Sequence, residues 1–272
     1  MDWRHAREAA CIEATLEGRH EVGVRSTADQ NRSTPSKEGM RPLVFVALVG
    51  AFITAWACGL PTVPSTVSAG CAPTEATANL HQPVFSRPFD GPSRVGNTFD
   101  HDLPLDSAAN GYVLTLCGQR DSSQTDGHPG YDYQLAEGTP LFAVADGTVL
   151  FAGLEPPHPC PQLGRTVQAL LIEIEHVAPS GEQFAVVYGH LSRIDVATGA
   201  TLSDRARVGL SGNTGCSGTP HLHFGVFRNV SGDYRVLDPY GWHASDADPW
   251  ERDARGTISS WLWKPGEAPA VR

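Results

Sequence analysis

The segment from Gly212 to Phe224 constrains the fold of this chain more than any other. A loop rich in Gly and Ser leads there into the alternating run His221–Leu222–His223, and a period of two predicts a β-strand entered from a tight turn. Residues two apart in a strand project to the same face, so both imidazoles are expected in one site. In an isolated His-x-His pair, the two histidines more often have no metal or catalytic role. Further motifs in the chain are therefore needed to identify a site.

Short apolar runs separated by turn signals continue through the rest of the chain after residue 97. None shows a helical period longer than a turn or two, and Asp146–Gly147 is a signal for a two-residue hairpin. The pattern predicts a mostly β domain built from antiparallel hairpins. The predicted strands are Val113–Leu116, Pro140–Val144, Thr148–Phe151, Val167–Ile174, Phe184–Tyr188 and His221–Phe227.

Composition limits what this domain can bind. The chain is 40% apolar and 18% charged, which is enough to bury a core, and its net charge is -10. No basic stripe offsets that charge, so nucleic acid is not expected as a partner.

The N-terminal part of the chain has the character of an export signal. Residues 1–39 are polar and aperiodic, which indicates disorder or a mis-called extension before a true start at Met40. Residues 40–60 combine a basic start with an uncharged apolar run, as in a secretory signal. A lipoprotein signal, with a lipid on Cys58, and a membrane anchor of about 18 residues remain open. Residues 61–80 resemble a linker, so the domain after them should be exported to the cell envelope or beyond.

Cysteine usage agrees with an exported domain. Apart from Cys11 and Cys58, an even number remains, which predicts two disulfides with three possible pairings. The cysteines concerned are Cys71, Cys117, Cys160 and Cys216.

Further ligand-type residues accompany the His-x-His pair. His128 and Asp132 flank a Pro-Gly turn, His190 ends an apolar strand, and the loop 208–215 is rich in Gly. Imidazole and carboxylate groups are good zinc ligands, and three of them leave a coordination position open for water. The Gly-rich loop lacks a phosphate-binding signature, so close backbone approach to an extended substrate is the better interpretation.

The order of these motifs resembles the lysostaphin and LytM-like zinc metallopeptidases over residues 125–228. The motifs are His128-x-x-x-Asp132, Gly138–Pro140 with Ala145–Val149, Tyr188–Ser192, and Gly212-x-Thr214-Gly215 leading to His221–Phe224.

The resemblance implies a small antiparallel β-sheet groove with one zinc ion per chain, held by His128, Asp132 and His223. It also implies that His190 and His221 are catalytic, and that the substrate is a peptide of bacterial peptidoglycan. His221 is then the candidate general base, and His190 the hydrogen-bond partner of the water or the developing oxyanion.

The resemblance places a metallopeptidase domain at residues 81–245 and a tail at 246–272, in a chain expected to be a monomer. The insertion Leu154–Pro161 departs from the family pattern and is expected to reshape one wall of the groove. Cys216, beside the site, is expected in a disulfide rather than on zinc, and Trp242 and Trp250 are expected to pack against the sheet.

Two questions stay open from the sequence. The alternative to an endopeptidase is a non-catalytic envelope module that binds peptidoglycan or an amidase, although members with that role typically lack zinc ligands. The segment before His128 could also occlude the groove at rest.

Overall fold

The computed structural model describes residue 73, residues 82–103 and residues 110–271. The predicted signal or anchor at 40–60 lies outside the described residues, as does Cys71. No helix in the described part of the chain is long and apolar enough to cross a membrane.

The described residues are mostly β, in antiparallel strands, which confirms the predicted fold class. The strands are β1 (Arg94–Val95), β2 (Val113–Leu114), β3 (Arg120–Asp121), β4 (Gly130–Gln134), β5 (Pro140–Phe142), β6 (Gly147–Leu154), β7 (His158–Cys160), β8 (Arg165–Val167), β9 (Leu170–Val177), β10 (Gln183–Gly189), β11 (Arg193–Ile194), β12 (Thr201–Leu202), β13 (Arg207–Leu210), β14 (Leu222–Val230) and β15 (Asp233–Val236). Short 3₁₀ helices span Pro161–Leu163 and Pro249–Arg252.

The main sheet has the order β1-β4-β14-β10-β9-β6-β12, and β15 pairs with the second half of β14. A second sheet has the order β11-β13-β5, and the pairs β2-β3 and β7-β8 form separate hairpins. Strand β14 therefore lies between β4 and β10, so residues at the start of β14 can meet residues from both neighbours.

One face of the main sheet packs against aromatic residues from both ends of the described chain. The Phe224 ring lies 5.6 Å from that of Tyr188 and 5.7 Å from that of Trp263. The rings of Phe85 and Trp263 lie 5.9 Å apart, and the backbones of these two residues form an isolated parallel β-bridge. Trp250 is 1% exposed, so it packs in the core as expected. Residues after 245 thus supply part of the core.

Alternation along β4 and β14 separates the core from the site. Leu222 and Phe224 are fully buried in the core, whereas His223 points to the opposite face, across from its strand partner Asp132. The predicted strand at 221–227 is observed as Leu222–Val230, and His221 precedes it in an isolated bridge with Gly212.

The insertion after β6 is a disulfide-linked hairpin. Strands β7 and β8 pair across the 3₁₀ turn, and Cys160 at the end of β7 is bonded to Cys216. Cys117 is disulfide-bonded as well. The expected disulfide at Cys216 is therefore confirmed, and its partner is identified as Cys160.

Candidate metal centre

Three predicted ligands, His128, Asp132 and His223, converge on one buried point. His128 Nε2 lies 3.1 Å from Asp132 Oδ1 and 3.2 Å from His223 Nδ1, and His223 Nδ1 lies 3.1 Å from the same Asp132 oxygen. Among the residues that the structure describes, this is the one group of three with metal-ligand geometry. The three atoms form a nearly equilateral triangle.

Strand pairing sets this triangle. Asp132 on β4 and His223 on β14 are directly opposite each other, and His128 lies just before β4. Glycines make room for the His223 ring, because a Cβ atom at Gly189 would lie 3.1 Å from His223 Cβ. A Cβ atom at Gly130 would lie 3.1 Å from His223 Cε1 and 2.6 Å from the Phe224 carbonyl oxygen. A larger residue at either position would displace the ligand.

Hydrogen bonding shows that a bare imidazole nitrogen of His128 faces a carboxylate at the centre. His128 Nδ1 lies 3.1 Å from the Thr98 carbonyl, which can only accept, so Nδ1 carries the proton and neutral His128 presents a bare Nε2. That nitrogen faces the Asp132 carboxylate, which is an acceptor when ionised. Such a contact requires a positive charge. A proton on Nε2 would satisfy one contact, whereas a metal ion could bind all three atoms.

The dimensions fit a tetrahedral ion. Two ligands at about 2.0–2.1 Å from zinc lie about 3.3 Å apart, close to the observed edges of 3.1–3.2 Å. Two imidazoles and one carboxylate form a ligand set that zinc prefers. A backbone carbonyl that orients the other nitrogen of a ligating imidazole, as Thr98 does for His128, is typical of metal sites.

Asn97 orients the carboxylate ligand, although no sequence motif singles it out. Its Nδ2 donates to Asp132 Oδ2 at 2.7 Å, which leaves Oδ1 directed at the triangle. The backbone NH of Thr125 donates to Asn97 Oδ1 at 2.9 Å and thereby fixes the amide. Asn97 lies after β1, 35 residues before Asp132, so no local spacing links the two residues.

Electrostatics favour the ionised carboxylate. Burial by itself raises the pKa of Asp132, but its contacts with His128 and His223 hold that pKa well below the usual value for aspartate. The group is therefore a negatively charged ligand at neutral pH.

His190 lies beside the triangle in a restricted backbone conformation. It follows β10 with a φ of 60°, which is uncommon for a residue other than glycine and is often found at functional sites. Its Nδ1 lies 2.7 Å from the Thr214 carbonyl, so Nδ1 donates and Nε2 is left as an acceptor. Its ring lies 4.6 Å from that of His221 and 6.1 Å from that of His223.

His221 lies on the other side of the site and, like His190, is oriented by a backbone carbonyl. Its Nδ1 lies 2.7 Å from the Thr219 carbonyl, and its Nε2 lies 3.6 Å from Asp132 Oδ1. His221 therefore presents an unprotonated Nε2 towards the triangle. All five predicted site residues come together, three in the triangle and two at its edge.

A groove of about 260 Å³ opens over this edge. Its walls are neutral and polar except for Asp132, and they include Gln162 from the insertion hairpin. The insertion thus forms part of one wall, as expected. The lining residues are Gly96, Asn97, Asp132, Gln134, Gln162, His190, Cys216, Ser217, Gly218, Thr219 and His221.

Four other histidines that the structure describes, His101, His158, His176 and His243, lie outside the site. His101 and His176 are 0% and 1% exposed, and His158 contacts Glu155 in the insertion at 3.3 Å. His243 Nε2 lies 2.8 Å from the Tyr240 carbonyl.

Comparison with known proteins agrees with this geometry. The model of "Peptidase family M23" matches residues 126–236, which contain all five site residues. An "Uncharacterized metalloprotease" of Haemophilus influenzae is 38% identical over 97 residues, covering 36% of this chain and 18% of the relative. "Peptidoglycan DD-endopeptidase ShyA" of Vibrio cholerae is 34% identical over 97 residues, covering 36% of this chain and 19% of the relative.

Among solved structures, the catalytic domain of lysostaphin from Staphylococcus simulans is 27% identical, with a TM-score of 0.31. The match covers 40% of this chain and 71% of that chain. The chain spans about a fifth of the length of the two curated relatives above. The likeness to those relatives therefore concerns one domain.

Proposed function

Because residues 126–236 are a peptidase family M23 domain, we propose that this protein is a zinc-dependent endopeptidase. Its substrate would be a peptide bond in the cross-links or stem peptides of bacterial peptidoglycan. The observation that carries this proposal is the convergence of three metal-ligand atoms, at 3.1–3.2 Å from one another, beside two further histidines.

His128, Asp132 and His223 would hold the ion. Zinc supplies Lewis-acid chemistry when bound, both to generate a nucleophile from water at neutral pH and to polarise the scissile carbonyl. The chain supplies orientation, because Thr98 fixes the His128 ring and Asn97 fixes the Asp132 carboxylate.

His221 is suited to general base catalysis. Donation from its Nδ1 to Thr219 leaves the Nε2 lone pair directed at the site. In this position His221 would take the proton of the attacking water and deliver it to the leaving amine nitrogen. The imidazolium formed between these steps would be stabilised by the nearby Asp132 carboxylate.

His190 occupies the other side of the same edge. With Nδ1 donated to Thr214, its Nε2 accepts from a water, or, once protonated, donates to the oxygen on which negative charge develops. The neutral, polar groove would pair with the backbone amides of an extended peptide, and its Gly residues leave room for that backbone.

The predicted export signal and the disulfide support a substrate outside the cytoplasm. The V. cholerae relative is a peptidoglycan endopeptidase by name, which supports the same substrate class. The alternative, a non-catalytic envelope module, has no observation in its favour, since all three ligand positions are intact.

The test combines zinc content with peptide release from purified peptidoglycan. We expect one zinc per chain by elemental analysis, release of peptides with new termini, and loss of release on chelation. We expect His221→Ala to retain zinc while its rate of release falls about 10²- to 10⁴-fold.

Each result has a contrary outcome. A zinc-loaded wild-type protein that releases no peptides from several peptidoglycan types would reject the endopeptidase and favour the binding module. Loss of zinc from His221→Ala would instead place His221 among the ligands.

A further inference from the structure

We propose that the Cys160–Cys216 disulfide positions His221 for catalysis, so that turnover depends on this bond while zinc binding does not. The inference rests on the proposed function for its kinetic consequence. Its structural consequence, the orientation of the His221 ring, is independent of activity.

The first step is the hydrogen bond that orients His221. The Thr219 carbonyl accepts from His221 Nδ1 at 2.7 Å, and Ser217 Oγ lies 3.3 Å from the same nitrogen. Ser217 Oγ also lies 3.1 Å from the Thr219 carbonyl oxygen and 2.6 Å from Asn213 Oδ1. The tautomer of His221 therefore depends on where segment 216–219 lies.

The second step is that residues 218–220, between Ser217 and His221, have little other support. Gly218, Thr219 and Pro220 are exposed, and a Cβ atom at Gly218 would meet nothing within 4 Å. The backbone NH of His221 donates to the Gly212 carbonyl at 3.1 Å. This hydrogen bond fixes only the end of the segment next to His221. The covalent bond at Cys216 is the strong attachment next to Ser217.

The third step is that the other end of the disulfide is held firmly. Cys160 is 1% exposed and lies in the β7-β8 hairpin. Buried Glu155, at the base of that hairpin, accepts the Ala169 NH at 2.7 Å and contacts His158 at 3.3 Å. The hairpin is thereby joined to the start of β9, and the disulfide connects segment 216–219 to the main sheet.

His190 provides an internal comparison, because its acceptor is held without the disulfide. Thr214 Oγ1 donates to the Leu191 carbonyl at 2.8 Å and accepts the Leu170 NH at 3.0 Å. Gly215 packs so closely that a Cβ atom there would lie 2.6 Å from Ala169 Cβ. Loss of the disulfide should therefore release His221 while His190 keeps its orientation.

The experiment measures imidazole tautomers and kinetics on the same zinc-loaded protein. Long-range ¹H–¹⁵N NMR spectra distinguish Nδ1–H from Nε2–H at each histidine. The samples are the wild type, Cys160→Ser, Cys216→Ser and the double variant. Wild type treated with a dithiol is added in case a variant does not fold. The dithiol forms its own disulfide as the protein bond takes up two electrons and two protons.

We expect a mixture of tautomers at His221 without the disulfide, and a single Nδ1–H form at His190 in every sample. We expect kcat to fall at least about 10-fold, and at most by the 10²- to 10⁴-fold that a positioned general base contributes, with zinc content and KM nearly unchanged. Both single variants and the double variant should show the same loss, because each removes the same bond.

A matched control separates this effect from general destabilisation. Cys117→Ser removes a disulfide outside segment 213–221, and it should lower the melting temperature without changing kcat or the His221 tautomer.

A single Nδ1–H form at His221 in the absence of the Cys160–Cys216 bond would overturn the inference, whether or not the protein hydrolyses peptidoglycan. An unchanged kcat in the double variant would also overturn it. Failure of the proposed function is distinguishable, because it appears as an oxidised, zinc-loaded wild type that releases no peptides.

Discussion

Two clusters of histidine and aspartate lie on opposite faces of β4, one residue apart along the strand. Asp132 faces the metal site, and its neighbour Tyr131 faces the core, where its hydroxyl donates to Asp238. Both clusters are buried and both contain histidine and carboxylate, the residue types from which metal sites are predicted.

The clusters differ in their hydrogen-bond donors. In the core cluster, Tyr131 donates to Asp238 at 2.9–3.0 Å, and the backbone NH of Tyr240 donates at 2.8 Å. His101 Nε2 lies 3.3 Å from Asp238 and 3.2 Å from the Ser259 hydroxyl. Each of these acceptors has a donor in reach. At the metal site, the bare Nε2 of His128 instead faces the Asp132 carboxylate, so two acceptors meet.

The core cluster and the metal site also differ in charge. Burial raises the pKa of Asp238 to about 8 and lowers that of His101 to about 4, so both groups are neutral near pH 7. The pKa of Asp132 is instead held well below 3.8. Residue type alone therefore does not identify a metal site. The two clusters are distinguished by the charge of their carboxylates and by the way their polar atoms are paired.

The largest expected effect separates the two clusters by zinc content. His223→Ala removes one of three ligands and should lose both zinc and peptide release, because the remaining two ligands hold the ion poorly. His101→Ala is the matched change in the core cluster and should keep one zinc per chain. Elemental analysis of both purified proteins checks this, and equal zinc in the two would contradict the distinction.

A smaller effect is expected from the residue that orients the carboxylate. Asn97→Ala removes the 2.7 Å bond to Asp132 Oδ2, and zinc affinity should fall about 10- to 100-fold. Competition against a chromogenic chelator measures the affinity.

The control for Asn97 lies at the far end of β14. Asn229 donates to Gln183 at 3.0 Å, so Asn229→Ala removes a side-chain bond of the same kind. Its zinc affinity should match that of the wild type. An unchanged affinity in Asn97→Ala would mean that strand pairing alone orients Asp132.

The smallest effect concerns stability and pH in the core cluster. Asp238 keeps its proton in the folded protein up to about pH 8, whereas in the unfolded chain it loses the proton near pH 4. Between these two pH values, unfolding therefore releases a proton from Asp238. The stability of the wild type relative to Asp238→Asn thus falls as the pH rises. The slope is at most about 1.4 kcal/mol per pH unit.

Urea unfolding of the zinc-loaded wild type and variant, from pH 7 to pH 9, isolates this group. His101 is neutral in the folded protein over this range. Its titration near pH 6.5 in the unfolded chain and the pH dependence of zinc binding are common to both proteins. A stability difference that does not change between pH 7 and pH 8 would contradict the raised pKa of Asp238.

Much of the fold followed from local pattern. The alternation at 221–227 predicted β14 and the direction of His223, since the period of two is a property of the strand itself. The hairpin predicted at Asp146–Gly147 was wrong, because β5 pairs with β13 in the second sheet whereas β6 pairs with β9 and β12 in the main sheet. The division into domain and tail at residue 245 stays a prediction, although Trp250 and Trp263 lie in the core.

The five site residues were selected from motif order, and the structure places them within one site. The roles assigned to His190 and His221 stay predictions until the kinetic tests are made. Asn97 could not be selected, because a short polar residue near a turn has many ordinary uses and its partner is 35 residues away.

The sequence by itself determined which residues are available for zinc chemistry, and on which face of each strand they lie, because residue type and strand period are local properties. The fold was needed to show that His128, Asp132 and His223 meet, that Cys160 pairs with Cys216, and that Asn97 orients Asp132. These contacts join positions that are distant in sequence. They exist because sheet pairing and a covalent bond bring their backbones together.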